Sequence, residues 1–485
     1  MRVSPLAASI ASMALLASCG GGGSSGNAAG SASPTPTATT PAPTPPSATC
    51  SLANRAAFTD DTLDEWYVFP SLLTNAAIAN YSDLQSYIDV RVAPARAQNK
   101  DRYFTYVTSI AEEEAFFSSG SSAGFGFRLS YDTSARRVFV AETFEGTAAL
   151  GANIDRGSEL LAIGTSSTTL RTVSSLMANG GPSAVINALG PSDPGVTRVL
   201  SVRDQSGVTR EVSLAKTDYP LDPVSDRYGA KVIDDGGKKV GYFNLRTFID
   251  PAIADMRSAF LGFRDQGITE FVIDLRYNGG GALSVSDVLG DLLARNYVGQ
   301  VYYKLAFRDS KSAFSETYRF ASRPQSVGPT RIAFIGTDST ASASELVING
   351  LQPYLSSNLA LVGSNTYGKP VGQSAFDFDA CDDRLRVLTF QLENADGNGE
   401  YFNGLAATVP NTCRASDDLS YPLGDAREEM VARALDFLAG RSCSPIASGT
   451  DGAIAGSERQ ALGRRGLLAS ERPRSVAERE VPGIF

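Results

Sequence analysis

"RIAFIGTDSTASASELVINGLQPYLSSNLALVGS", Arg331 to Ser364, is the stretch on which the architecture turns. Two short apolar runs, in "RIAFIGT" and "LALVGS", enclose a segment that reads as a helix entered through a polar turn. Strands joined through a helix run parallel, and a strand apolar along its whole length needs cover on both faces. The same alternation comes before it. "KVGYFNLRTF" and "TEFVIDLRY" read as strands, "PAIADMRSAFLGFRDQG" as an amphipathic helix opened by Pro251, and "ALSVSDVLGDLLAR" as another helix. Residues 218–443 are therefore expected to form an α/β core with a mixed, largely parallel sheet.

Upstream the rhythm differs. "RRVFVAETF", "SELLAIGT", "TRVLSVRD" and "REVSLAK" are short alternating or β-branched runs, with a helix-compatible "SAVINALG" among them, so residues 113–217 read as a β-rich domain. Residues 50–112 read as a small helical domain, with one helix expected to start near Thr59 and another in "YSDLQSYIDVRV". The run Glu112, Glu113, Glu114 reads as a solvated face. Residues 19–49, rich in Gly, Ser, Pro and Thr, read as a linker, and the Arg- and Glu-rich tail 444–485 as disordered.

The opening "MRVSPLAASIASMALLASCG" reads as a secretory signal over residues 1–18, with Cys19 at the position that a bacterial lipobox acylates. An ordinary signal peptide with an incidental cysteine is the alternative. Lipidation would tie the chain to a membrane through the lipid anchor only, on the periplasmic side of the bacterial cell envelope, and Gly20 points to the outer membrane. The remaining Cys50, Cys381, Cys413 and Cys443 allow two disulfides in three pairings. Without histidine or a close C-x-x-C pair, a zinc site is disfavoured, and no metal or other cofactor is expected. A formal net charge of -9 argues against nucleic acid.

Ser342 follows the first apolar run and a polar turn, at a helix start where N–H groups favour developing negative charge. Ser342-x-x-Glu345 also spells a capping box, the structural reading of the same residues. The chain has no histidine to deprotonate a serine. The remaining base is a buried lysine, since an unperturbed one is neutral in only about one molecule in 2,500 at pH 7. Lys369, between Gly368 and Pro370 after an apolar strand, has the required neutral setting. Gly363 to Lys369 also spells most of a phosphate loop, but Pro370 replaces the hydroxyl residue and strand-like sequence follows. The glycines of "DLRYNGGG" allow the exposed N–H groups an oxyanion hole requires. "GFGF", Gly124, Phe125, Gly126 and Phe127, can converge backbone N–H groups on a peptide carboxylate.

Taken together, "STASASE", "VIDLRYNGGGAL" and "GKPVGQ", in this order, resemble the C-terminal-processing (tail-specific) serine peptidase family over roughly Gly124 to Gly440. The resemblance implies a ClpP/crotonase-like peptidase core preceded by a PDZ-like domain. It implies Ser342 as nucleophile, Lys369 as base, Gln373 as the residue that orients the lysine, and an oxyanion hole from Ala343 with Gly280 or Gly281. It also gives "GFGF" the task of holding protein or peptide substrates by exposed C-termini. Two departures stand out: Pro353 follows Gln352 where some members carry an aspartate, and Ser374 to Cys413 differs from the usual strand pair. Two other readings stay open, an esterase using the same dyad and an inactive protein binding a peptide or hydrophobic ligand on this fold.

Overall fold

The structure is a computed structural model that describes residues 48–447, 465–470 and 472–485. The expected signal peptide, the lipidation site Cys19 and nearly all of the linker lie outside the described residues.

The central sheet has six strands. Lys238–Asn244, Glu270–Asp274, Arg331–Gly336, Leu359–Gly363 and Asn411–Arg414 run parallel in that spatial order, and Ala230–Asp235 adds antiparallel at one edge. Glu270–Asp274 and Leu359–Gly363 are buried at every position, which is why they read as continuous apolar runs rather than as alternation. Ala252–Asp265, Leu283–Leu293 and Ala343–Leu355 bury Met256, Phe260, Leu289, Leu346 and Leu351 in one core with this sheet. Glu429–Leu438 joins Val272, Ala333, Ile335 and Val362 in a separate core through Met430, Val431 and Leu435. The chain is α/β, and the positions where strands end and helices begin gather at one end of the sheet.

Beside it, Thr197–Arg203, Thr209–Ala215, Glu159–Gly164, Arg137–Thr143 and Phe127–Asp132 form an antiparallel sheet covered by the helical segment Val173–Leu189, which breaks at Gly181 with φ 61°. Arg128 ties this module to the core: its buried guanidinium pairs with Glu142 at 3.3 Å and donates to the Tyr277 carbonyl at 3.3 Å.

Several sequence expectations are corrected here. The first helix is Leu52–Trp66, capped by Ser51, and Thr59 lies inside it with its hydroxyl bonded back to Arg55 O at 3.0 Å. Helix Ile110–Ser119 runs across the expected domain boundary at residue 112. Glu112 and Glu114 are exposed as expected, but Glu113 between them is fully buried and pairs with Arg384 and Arg386. Residues 465–470 and 472–485 are ordered, because Leu468, Val476, Val481, Ile484 and Phe485 all bury in apolar clusters. The cysteines pair as Cys50–Cys381 and Cys413–Cys443.

Candidate active site

Strand Arg331–Gly336 ends at a turn fastened by side chains. Thr340 Oγ1 donates to Leu275 O at 2.7 Å and accepts from Thr337 N at 2.9 Å, while Ala341 N donates to Asn278 O at 3.1 Å. The turn delivers Ser342 at φ 55°, ψ -116°, just before helix Ala343–Leu355. A positive φ costs a non-glycine residue roughly 1–3 kcal/mol and persists only where the surroundings hold it. Here Glu345 holds it. The carboxylate is fully buried and accepts from the N–H groups of Ser342 at 3.0 Å, Gly368 at 2.7 Å and Lys369 at 2.7 Å, and from Thr366 Oγ1 at 2.6 Å. Burial pushes its pKa up, and those four donors work against the rise.

The loop after Leu359–Gly363 carries Lys369 toward the same turn, with Tyr367 N donating to Thr340 O at 2.9 Å. Lys369 keeps partial contact with a cavity, while its Nζ donates to Gln373 Oε1 at 3.1 Å and lies 4.8 Å from the centre of the Phe104 ring. Gln373 Nε2 in turn donates to the Phe104 carbonyl, which fixes which end of the amide faces the lysine. Desolvation among these groups pushes the Lys369 pKa down, toward the neutral amine that general-base chemistry needs.

The glycine turn lies against Ser342. A Cβ on Gly280 would stand 2.8 Å from Ser342 Cβ and 3.3 Å from Ala343 N. Ala343 N–H is the first of its helix and so has no intrahelical acceptor. The Gly280 N–H, expected as an oxyanion donor, instead donates to Asn278 Oδ1 at 2.9 Å. The glycine N–H that meets a peptide carbonyl belongs to Gly279, which donates to Glu480 O at 3.2 Å. The Gly281 backbone abuts Phe248, whose oxygen would lie 2.3 Å from a Cβ there.

At the module's edge, the N–H groups of Gly126 and Phe127 donate to Phe485 O at 3.0 and 3.4 Å. Gly126, at φ +88°, permits that convergence, and Phe125 and Phe127 are buried beneath it with Phe485. Gly124 is closer still, since a Cβ there would fall 2.5 Å from the Phe485 carbonyl carbon.

Glu345 thus joins the main chains of Ser342 and Lys369, the glycine turn packs against Ser342, and Gln373 accepts from the Lys369 amine. Sequence reasoning saw Glu345 only as half of a capping box and missed Phe104, Arg102 and Asn278. Arg102 Nη2 secures the lysine loop through Gly368 O at 2.7 Å. No local pattern marks Phe104 or Arg102, because each acts on a segment distant in the chain, whereas Asn278 lies within DLRYNGGG and binds Gly280 two residues on.

This is an α/β core with a serine at a strained strand-to-helix turn and a buried lysine beside it. Residues 239–410 match Peptidase family S41, and the chain carries a domain of that family. A carboxyl-terminal-processing protease of Picosynechococcus sp. is 27% identical over 260 residues, 53% of this chain and 57% of that protein. The chloroplastic carboxyl-terminal-processing peptidase 1 of Arabidopsis thaliana is 29% identical over 229 residues, 47% of this chain and 42% of that protein. The chain spans about half the length of the curated relatives it matches. A crystal structure from Bacteroides fragilis, assigned to the S41 proteases, shares the fold with a TM-score of 0.60 at 22% identity, covering 79% of this chain and 97% of that one.

Proposed function

We propose that the chain is a serine endopeptidase that cuts protein substrates near their C-termini with a Ser342–Lys369 dyad. The observation that carries this reading is the one carboxylate, Glu345, that binds the main chain of both Ser342 and Lys369. Neutral Lys369 takes the proton of Ser342 Oγ as the oxygen attacks the scissile carbonyl. Ala343 N–H stabilises the oxyanion, with Gly279 N–H as a second donor once the Glu480 carbonyl has left it. The Lys369 ammonium then gives its proton to the departing amine, and water, deprotonated by the same lysine, hydrolyses the acyl-enzyme. Gln373 keeps the amine aimed throughout.

The GFGF loop supports cleavage close to an end. Glu480 meets Gly279 and Phe485 meets Gly126, so a chain seated the same way puts its fifth residue from that loop at the glycine turn. Five extended residues span at most about 18 Å. The same loop, opening an antiparallel sheet edge, supports reading residues 113–217 as a PDZ-like peptide-binding domain. For its setting we propose the bacterial envelope, with Cys19 acylated; mass spectrometry of the N-terminal peptide from cells tests this by the presence of acyl chains.

The test of the activity mixes the protein with an unstructured polypeptide ending in apolar residues and follows fragments by mass spectrometry. Cleavage that disappears in both Ser342→Ala and Lys369→Ala is expected. Binding without cleavage by all three chains across a range of pH would replace this reading with the inactive binding protein.

A further inference from the structure

Residues 465–470 and 472–485 follow the path a bound polypeptide would take. Arg465–Leu467 pairs antiparallel with Ser130–Asp132, and Leu468 N donates to Leu129 O at 2.8 Å. After a detour the chain returns to the same edge, where Leu129 N donates to Gly483 O at 2.9 Å, Ile484 bridges to Arg128, and Phe485 N donates to Phe127 O at 3.0 Å. The edge strand is thereby filled along its length, and strand addition there by another peptide is excluded while this segment stays.

Between these two pairings the chain passes the cavity that Lys369 lines as a helix, Val476–Glu480, capped by Ser475. Arg479 stacks 3.6 Å from the centre of the Tyr106 ring and donates to Tyr103 O at 3.2 Å. Glu480 is buried, with its carbonyl on Gly279, and with Lys369 it lines the same cavity of about 270 Å³. Two features make this occupant an obstruction rather than a substrate. A helical turn directs its carbonyls along its own axis, as Val481 N on Ala477 O at 2.9 Å shows, whereas attack needs an extended backbone. The Glu480 carboxylate also works against the burial that lowers the Lys369 pKa, and so opposes the neutral amine that must accept the proton.

We propose that residues 465–470 and 472–485 are an intramolecular inhibitor that occupies the edge strand and walls the cavity on which Lys369 opens, and that it must leave before a polypeptide is cut. The effect on activity rests on the peptidase reading; the occupancy does not. A tethered segment competes at an effective concentration on the order of millimolar, so a free peptide of the same sequence binds well only where the tether has released.

The experiment uses the full chain and its Ile484→Asp/Phe485→Asp variant, each in a Ser342→Ala background, with a fluorescent peptide of sequence RPRSVAEREVPGIF. Asp at these two buried positions expels the segment without altering the groove. The expected result is peptide binding at least about tenfold tighter by the variant, and, with Ser342 restored, cleavage of the unstructured polypeptide at least about tenfold faster. Arg479→Ala, which loosens only the helix over the dyad, is expected to move both readings the same way by less. Equal peptide binding by all chains overturns the proposal. Equal cleavage that still requires Ser342 overturns it while leaving the peptidase reading intact. Tighter binding without cleavage in any chain keeps the inhibitor's occupancy and removes the peptidase.

Discussion

Glu345 and Lys369 are joined by a 2.7 Å hydrogen bond from the lysine's main-chain N–H to a carboxylate that also accepts from Ser342 N. One buried side chain therefore sets the separation of nucleophile and base through their backbones. Glu345→Gln keeps the shape but halves the acceptors and turns an N–H₂ toward main-chain donors. The expected outcome is a fall in kcat of roughly 10²-fold with a much smaller change in KM, and a stability loss of about 1–3 kcal/mol in urea titrations. A variant that loses stability but keeps kcat would show that Glu345 braces the fold and leaves the dyad alone.

Lys369 predicts the pH profile. Burial is the main cause of its lowered pKa; Glu480 and Asp101 oppose the shift, and Arg479 and Arg386 add to it. The active form is the neutral amine, so kcat/KM should rise with pH and reach half its plateau below the ordinary lysine value of about 10.4. Glu480→Gln removes a carboxylate that stabilises the ammonium while the segment is seated, so the Lys369 amine of the intact, substrate-free chain should titrate at lower pH, as NMR of its Nζ would show. Lys369→Arg, which has no accessible neutral form, should be inactive at every pH. A midpoint at or above the ordinary lysine value would count against Lys369 as the base.

Gly126 stands at φ +88° with Thr147 Cβ 2.1 Å from where its own Cβ would be. Gly126→Ala combines an unfavourable backbone with a collision against a side chain that packs below the loop, and should cost about 1–3 kcal/mol. Its N–H and that of Phe127 would no longer converge. In the Ile484→Asp/Phe485→Asp background, where the loop is open to added peptide, affinity for RPRSVAEREVPGIF should drop about tenfold while the turnover of short esters changes little. An unchanged affinity would remove the loop from peptide recognition.

The core was legible because strands buried on both faces announce themselves as unbroken apolar runs, and because the polar turn after Ile335 places Ser342 at a strand-to-helix junction. The lack of histidine directs attention to a lysine, and the neutral setting between Gly368 and Pro370 picks out Lys369, which the structure places beside Phe104 and Gln373. What escaped notice depends on partners far along the chain. The capping box accounts for one of the bonds to Glu345, but the others come from a loop 21 to 24 residues away. The tail was read as disordered because Arg and Glu dominate its composition. Its few apolar residues have no period, and their pockets are built by residues such as Phe116, Phe125, Phe144 and Tyr219. In the same way Glu113 looks solvated like its neighbours until Arg384 and Arg386, more than 250 residues on, are brought against it.

That last contact yields a prediction of its own. Glu113 is fully buried at 0% exposure, Arg384 Nη1 reaches it at 3.0 Å and Arg386 Nε at 2.9 Å, and both guanidiniums are themselves largely covered. Removing the carboxylate leaves Arg386 without its charge partner in a place water reaches poorly, while Arg384 retains Asp377. Glu113→Ala should therefore cost about 3 kcal/mol, at the low end for a broken buried pair because Arg384 is not stranded. The loss should appear as a lower urea midpoint at an unchanged slope, since the surface exposed on unfolding stays the same. Adding Arg386→Met should recover part of it, because the apolar stem remains and the unpaired charge is gone. If the double variant is less stable than Glu113→Ala by the full cost of a second lost contact, the two side chains act independently, and the pair does not explain why an acidic residue is buried there.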